Sequence, residues 1–216
     1  MSTASILNVF TDGFVMEEAQ KLLVMYAMKH LFRYSGARDP SVHGESIAEH
    51  TFADLLLAEY FLPLEDPERR LDWNRVRSIL LYHDVPEIPD GDTPYHLKTL
   101  AHEAREREAA QEVFAQLPAS LGERGYEHWH DYEMRRSPEA HFAYAVDKLE
   151  PVFELFSNET SASSMWRLHF TYEQHMGRKR NAIHERYPIM WRFVEVLSED
   201  MRRRGVFWEP PIIDGA

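Results

Sequence analysis

Residues 76–94 read VRSILLYHDVPEIPDGDTP, and their character changes near the middle. The first half carries apolar residues at the i, i+3 and i+4 spacing of one helix face: Val76, Ile79 and Leu80. His83 continues that face at i+7, so its side chain is expected to point into the core. Pro86 disfavours helical backbone at the residue before it, and the helix should end near Asp84. The pair His83-Asp84 is therefore predicted to lie where a buried helix opens into a loop.

The loop after this pair is acidic and rich in proline. Within ten residues it holds three carboxylates and three prolines: Glu87, Asp90 and Asp92, with Pro86, Pro89 and Pro94. Such a segment is too polar and too broken for ordinary core. A His-Asp pair alone is common by chance, and a buried histidine is more often a hydrogen-bonded core residue than a ligand. Beside this loop, however, imidazole and carboxylate groups suit a divalent transition-metal ion, which can turn bound water into a nucleophile near neutral pH.

Helical periodicity extends through most of the remaining chain, and no clear strand is indicated. Apolar positions mark further helices around Leu22, Leu23, Tyr26 and Leu31, around Phe142, Val146, Leu149, Phe153 and Phe156, and between residues 160 and 204. No Gly-rich or Ser-rich linker divides the chain, so we expect one all-α helical bundle spanning residues 1–216. The short basic run at residues 178–180 is typical of a solvated helix end.

A further histidine lies at the start of a predicted helix. Ser46 and Glu49 have the spacing of a capping box, in which each side chain satisfies a backbone donor near the other residue. His50 then falls in the first helical turn and should point inward. A second apolar face on the same helix comprises Phe52, Leu55 and Leu56. This helix is therefore expected to be buried over most of its surface.

Asp147 is predicted to lie about three turns into another helix. Ser137 and Pro138 have the character of a helix start, with serine as the cap and proline in the first turn. The carboxylate would stand at the edge of an apolar stripe. Two interpretations are open from the residues alone: a metal ligand, or a surface salt bridge to Lys148 or Arg167.

Composition restricts the classes of function. The chain has 24 Lys and Arg against 36 Asp and Glu, a formal net charge of −12, which disfavours binding to extended nucleic acid. A small phosphorylated ligand needs only a local positive site. Cysteine is absent, which excludes disulfides, thiolate catalysis and cysteine-ligated zinc. No secretion signal or membrane-spanning stretch is evident, so we expect a cytoplasmic protein with no membrane partner.

Three segments taken together resemble the HD-domain phosphohydrolase superfamily, and within it the 5'-deoxynucleotidase branch. They are Glu45-Ser46-Ile47-Ala48-Glu49-His50, then His83-Asp84 with Glu87, Gly91, Asp92 and Pro94, then Ala145-Val146-Asp147-Lys148-Leu149-Glu150. The resemblance covers roughly residues 22–156, with residues 157–216 as additional helices and a tail. It implies that one divalent ion is bound by His50, His83, Asp84 and Asp147. Two imidazoles and two carboxylates suit manganese, cobalt, zinc, iron or nickel.

The same resemblance implies the catalytic residues. Glu87 and Asp92 match the family's acidic catalytic positions, on the loop after the metal-binding pair. Which of the two acts as base and which as acid is left open. His43 competes with His50 as a ligand, but it precedes the helix cap, and we prefer His50.

The substrate-binding residues are also implied by the resemblance. Arg33-Tyr34 is the best match to the family's phosphate-binding arginine and the aromatic residue that follows it, although tyrosine stands where tryptophan is expected. Arg38 is a competing candidate. Thr93 matches a position that contacts the sugar or the phosphate, and its alternative role is that of a turn residue.

The implied function is hydrolysis of a small phosphomonoester, with (deoxy)nucleoside 5'-monophosphates as the expected substrates and a homodimer as the expected assembly. Two alternatives stay open at this stage. One is a di-iron oxygenase on the same fold, which would need additional histidine ligands, for which the candidates are His96, His102, His128 and His130. The other is a non-catalytic sensor that binds a nucleotide and signals through a partner.

Overall fold

The computed structural model describes residues 11–33, 44–91, 100–157 and 159–210. Its helices are α1 (Asp12–Leu23), α2 (Ile47–Glu65), α3 (Trp73–Tyr82), α4 (Glu87–Asp90), α5 (Leu100–Gln116), α6 (Ala119–Met134), α7 (Pro138–Ser157), α8 (Glu159–Arg167), α9 (Tyr172–Lys179) and α10 (Pro188–Arg203). A 3₁₀ turn follows α1 and a π turn follows α9. Within the described ranges, β pairing is limited to one antiparallel bridge between Phe32 and Ser46. The predicted all-α fold is confirmed.

The central helix of the bundle is α7, which packs against α2, α3, α6, α8 and α10. The main hydrophobic cluster draws on all six of these helices and includes Phe61, Ile79, Phe142, Val146, Leu149, Met190 and Val194, all fully buried. Burial of this apolar surface is the main force that holds the helices together. It fixes α2, α3 and α7 against one another, and these elements carry or adjoin the predicted metal ligands.

The start of α2 agrees with prediction, but its outer face does not. Ser46 Oγ accepts a hydrogen bond from the Glu49 amide at 3.2 Å, and a Glu49 carboxylate oxygen accepts one from the Ser46 amide at 2.7 Å. This capping box places His50 on the buried face. The expectation that α2 is buried on most sides is wrong, because Phe52 is 69% exposed and Leu56 is 60% exposed. An apolar helix face in a sequence does not reveal what covers it.

The predicted limits of α3 and α7 are close to those observed. The last residue of α3 is Tyr82, two positions before the predicted end near Asp84. The first residue of α7 is Pro138, and Ser137 Oγ accepts a hydrogen bond from the Ala140 amide at 3.0 Å. In both cases the residues near the helix end were sufficient to predict where the helix ends or begins.

The predicted first helix is only partly correct. The α-helix ends at Leu23 and continues as a tighter 3₁₀ turn over Val24–Lys29, without reaching Leu31. A 3₁₀ turn has three residues per turn, so it changes the direction of the side chains that follow. Met28 is consequently buried, whereas Tyr26 is 54% exposed.

Helices α5 and α6, joined by two residues, pack closely against each other. A second hydrophobic cluster lies here and includes Tyr82, Val85, Phe114 and Trp129. Close approach requires glycine: a Cβ atom added at Gly122 would lie 2.3 Å from the carbonyl oxygen of Phe114. None of the described helices is both long and apolar enough to cross a membrane.

Candidate metal centre

The structure brings the four predicted ligands together between α2, the end of α3 and α7. His50 Nε2 lies 3.3 Å from Asp147 Oδ1 and 3.7 Å from Asp84 Oδ2. His83 Nε2 lies 3.2 Å from Asp84 Oδ1. The first and last of these residues, His50 and Asp147, are 97 positions apart in the chain, so the packing of α7 against α2 and α3 creates the cluster.

A fifth residue, Asp54, belongs to the same cluster and was missed in the sequence. Its Oδ2 lies 3.3 Å from His50 Nε2 and 3.4 Å from His83 Nε2. Asp54 follows His50 by four residues on α2, so the two side chains share one helix face. That spacing is the only sequence signal for Asp54, and the apolar residues around it are equally typical of a packed helix.

The donor set fits a divalent metal ion. The ligating atoms of His50, Asp54, His83 and Asp147 all lie within 4.8 Å of one another, and all four residues are buried. Ligands held at about 2 Å from one ion stand roughly 3 to 4 Å apart, which is the separation between Asp54 Oδ2 and each of the two imidazole Nε2 atoms. Imidazole nitrogen and carboxylate oxygen together suit first-row transition metals.

Both imidazole rings are oriented by a contact on the opposite ring nitrogen. His83 Nδ1 donates to the Leu80 carbonyl oxygen at 2.8 Å, which leaves Nε2 facing the carboxylates. His50 Nδ1 lies 2.9 Å from Glu150 Oε2. Outer contacts of this kind fix the tautomer and the ring orientation of metal-binding histidines. Glu150 was part of a segment singled out in the sequence, but its role as the partner of His50 was not foreseen.

The two oxygens of Asp147 have different partners. Oδ1 faces His50, while Oδ2 accepts hydrogen bonds from the Tyr132 hydroxyl and, at 2.6 Å, from Lys148 Nζ. The sequence left open a metal ligand or a salt bridge to Lys148. The carboxylate is 5% exposed and makes the salt bridge through one oxygen while the other points into the cluster. Tyr132 had no sequence signal.

The carboxylates of the cluster favour a bound proton or metal cation. Burial and Arg33 both lower the pKa of His50, but the surrounding carboxylates, Asp54 first among them, raise it well above 6.5. Burial also lowers the pKa of His83, yet Asp84 and its neighbours bring it to about 9. Burial raises the pKa of Asp54 to about 7. Protons and a metal cation therefore compete for the same buried groups.

Of the predicted catalytic and substrate-binding residues, Glu87 and Arg33 can be placed. Glu87 is the first residue of α4, and its backbone amide donates to the Asp84 carbonyl at 3.1 Å. Asp92, Tyr34 and Thr93 lie outside the described residues, as do the competing candidates Arg38 and His43.

Arg33 lies on the Nδ1 side of His50, away from the Nε2 atom that faces the cluster. Its Nη1 atom is 2.6 Å from His50 Nδ1, 3.2 Å from Glu45 Oε2 and 3.1 Å from Glu150 Oε2. Glu45, His50 and Glu150 form a second group with metal-ligand spacing, and the Arg33 guanidinium already supplies a cation there. The predicted phosphate-binding role of Arg33 stays a prediction.

The additional histidines can be placed only in part. His128 stacks on the Tyr82 ring at a centroid distance of 6.2 Å, and His130 stacks on Tyr126 at 6.0 Å. Neither belongs to the metal-ligand groups found among the described residues. His96 and the side chain of His102 lie outside the described part of the chain.

A family model described as an HD domain matches residues 25–191, which is most of the chain and includes the whole cluster. The chain belongs to the HD-domain family. The predicted resemblance is confirmed, and the family's all-α architecture is the one observed.

Individual relatives of this HD-domain chain are distant. The 5'-deoxynucleotidase HDDC2 of Mus musculus is 26% identical over 136 residues, 62% of this chain and 66% of the mouse protein. The Homo sapiens protein of the same name is 27% identical over 136 residues, 62% of this chain and 64% of its own length. The chain thus spans just under two thirds of the length of these relatives.

A solved structure resembles most of the HD-domain chain. The crystal structure of a predicted metal-dependent phosphohydrolase from Magnetospirillum magnetotacticum MS-1 matches with a TM-score of 0.69 and 26% identity. It covers 90% of this chain and 98% of that one. The structural match therefore covers more of the chain than the 62% matched by the mouse relative.

Proposed function

We propose that this HD-domain protein is a metal-dependent phosphohydrolase that releases phosphate from nucleoside 5'-monophosphates, with deoxynucleotides as the first candidates. The observation that supports this most is the buried cluster of two imidazoles and several carboxylates. The names of the similar proteins support the substrate class, since the mouse and human relatives are 5'-deoxynucleotidases.

His50, His83, Asp84 and Asp147 would hold one divalent ion. When bound, such an ion polarises a phosphoryl oxygen and lowers the pKa of a bound water. The protein's own contribution is orientation: Leu80 fixes one imidazole, and the donors on Asp147 fix one carboxylate. Asp84 is 16% exposed, against 5% for Asp147, so solvent and substrate reach the centre from the Asp84 side.

Glu87 is the proposed group for proton transfer. It follows Asp84 by three residues, at the start of α4, and is partly buried. A carboxylate there would accept a proton from the attacking water, and Asp92 would orient that water or protonate the leaving oxygen. Both roles rest on the match to the family's acidic positions.

Phosphate recognition is proposed for Arg33 with Tyr34 and Thr93. Planar guanidinium donors suit phosphate oxygens. A homodimer, a cytoplasmic location and the absence of extended nucleic-acid or membrane partners belong to the same proposal. The net charge of −12 supports a small phosphorylated substrate rather than a polynucleotide.

Phosphate release tests the proposed function directly. Protein stripped with a chelator is assayed against a panel of ribonucleoside and deoxynucleoside 5'-monophosphates after adding back manganese, cobalt, zinc, iron or nickel. We expect release with at least one pairing and one bound ion per chain. Metal binding without release from any nucleotide would favour the sensor, and two irons with oxygen consumption would favour the oxygenase.

A further inference from the structure

Asp54 is the most deeply buried carboxylate of the metal centre. Its side chain is 0% exposed, and neither carboxylate oxygen accepts a hydrogen bond from the described residues. A buried carboxylate normally has several donors or a cation, because it otherwise loses its hydration without replacement. Asp54 therefore needs a partner that the described protein groups do not supply as a hydrogen bond.

The surroundings of Asp54 indicate what that partner is. Its Oδ2 is nearly equidistant from two imidazole nitrogens, 3.3 Å from His50 Nε2 and 3.4 Å from His83 Nε2. His83 Nε2 is itself buried without a hydrogen bond among the described residues. Three electron-pair donors thus converge without hydrogen bonds between them, as atoms arranged around one cation do.

A buried aspartate outside the cluster, Asp131, is held differently. Asp131 is also buried, but it accepts hydrogen bonds from Arg75 Nη2 at 2.6 Å and from the Ser137 hydroxyl at 2.6 Å. Its charge is fully compensated by protein donors. Asp131, which lies outside the cluster, therefore has the protein donors that Asp54 lacks.

We propose that Asp54 is a ligand of the metal ion, so that the centre uses three carboxylates and two imidazoles rather than two of each. This inference rests on the metal-binding part of the proposed function and not on hydrolysis. The additional carboxylate gives the donor set one more negative charge than the ion can neutralise. Oxygen ligands suit Mn²⁺ better than they suit softer ions, so Asp54 should shift preference toward manganese.

Metal binding by full-length variants tests the assignment. Chelator-stripped wild-type, Asp54→Asn and Asp54→Val proteins are titrated with Mn²⁺ and, separately, with Zn²⁺ by calorimetry at fixed pH. Circular dichroism verifies that each variant is folded. Both variants should lose affinity by roughly 100-fold or more, above the roughly 10- to 100-fold cost of losing an outer contact. The Mn²⁺ electron paramagnetic resonance spectrum should also change. Asp131→Asn is the matched control and should lose stability while keeping wild-type affinity.

The possible results separate this inference from the proposed function. Wild-type affinity and an unchanged spectrum in folded Asp54→Asn would overturn the ligand assignment, even if the wild-type protein releases phosphate. Weakened binding in both Asp54 variants, with Asp131→Asn unaffected, supports it, even if no nucleotide is hydrolysed. A manganese loss no larger than the zinc loss would overturn the predicted preference for manganese.

Discussion

At the residue scale, the carboxylates around the centre differ in their access to solvent. Asp54 is fully buried and Asp147 nearly so, while Asp84 is the accessible member. Glu87 follows Asp84 in the chain and begins the next helix. Under the proposed function, we expect a substrate to meet Asp84 and its neighbours first, and the inner carboxylates to set the charge and position of the ion.

Replacing Glu87 and Asp84 separates catalysis from metal binding. Glu87→Gln keeps the shape but removes the proton acceptor, so phosphate release should fall by roughly 10²- to 10⁴-fold, the usual contribution of general acid–base catalysis. Metal affinity should stay near wild type. Asp84→Ala should instead remove the ion, measured by calorimetry. The exposed Glu68→Gln is a control, and near-normal turnover of Glu87→Gln would contradict the assignment.

At the element scale, two helical glycines differ in the space available for a side chain. Gly122 on α6 touches α5, where an added Cβ would lie 2.3 Å from the Phe114 carbonyl oxygen. Gly177 on α9 has open space, with no atom within 4 Å of an added Cβ. Alanine favours a helix over glycine by about 1 kcal/mol, so packing alone decides the difference between the two positions.

The pair Gly122→Ala and Gly177→Ala tests this packing. Gly122→Ala should destabilise the protein by about 1–3 kcal/mol, because the backbone contact between α5 and α6 must open. Gly177→Ala should be neutral or stabilise it by up to about 1 kcal/mol. Urea unfolding measures both free energies. Equal effects would show that α5 and α6 are not packed this closely.

A buried histidine couples α9 to α10 and makes stability depend on pH. His175 Nε2 lies 2.9 Å from Ser198 Oγ, and burial, with Lys179 and Arg178 nearby, holds its pKa well below 6.5. The unfolded chain therefore binds a proton first as the pH falls. The stability that neutral His175 contributes is present above pH 6.5 and is lost below it, by up to about 1.4 kcal/mol per pH unit.

Substitution of His175 should flatten that dependence. We expect His175→Gln to lose less stability than wild type between pH 6.5 and 5, measured by urea unfolding at several pH values. The exposed His30→Gln is the control, and its profile should follow that of wild type. Parallel profiles for His175→Gln and wild type would contradict a neutral buried imidazole.

At the scale of the whole molecule, the outer face of α2 carries an exposed apolar stripe. Its members recur every four residues and are 42% to 69% exposed: Phe52, Leu56, Tyr60 and Leu64. Together they present roughly 400 Å² of surface, given roughly 150–250 Å² for one aromatic side chain. A standard interface covers about 800 Å² per partner, a little over half of it apolar. The stripe is therefore the right size for the centre of a two-fold symmetric dimer contact.

The proposed homodimer can be tested on this stripe. Leu56→Glu places a charge at the middle of the contact and should shift a dimer to a monomer in analytical ultracentrifugation at micromolar concentration. Val196→Glu, on the exposed part of α10, is the control and should leave the assembly unchanged. A wild-type protein that is monomeric, or a Leu56→Glu protein that stays dimeric, would exclude the stripe as the interface.

Sequence information was sufficient where the signal is local. The limits of α3 and α7 and the capping box of α2 follow from neighbouring residues, and the grouping of His50 with His83 followed from the family resemblance. Asp54 could not be predicted as a ligand, because the other ligands reach it only through the packing of α3 and α7 against α2. Lys179 belongs to the basic run that the sequence predicts to be solvated, but it is buried and donates to the Lys148 carbonyl on α7. Such partners come from elements far apart in the chain.

The capping box of α2 has a consequence for how this chain can vary in length. It fixes the first residue of the helix, and each further residue turns by about 100°. His50 and Asp54 therefore face α7 only because they stand four and eight residues after Ser46. One residue inserted between Ser46 and His50 would rotate both side chains away from the cluster. Substitutions there leave the number of residues unchanged and would not rotate them. We expect natural length variants to have their insertions outside residues 46–54.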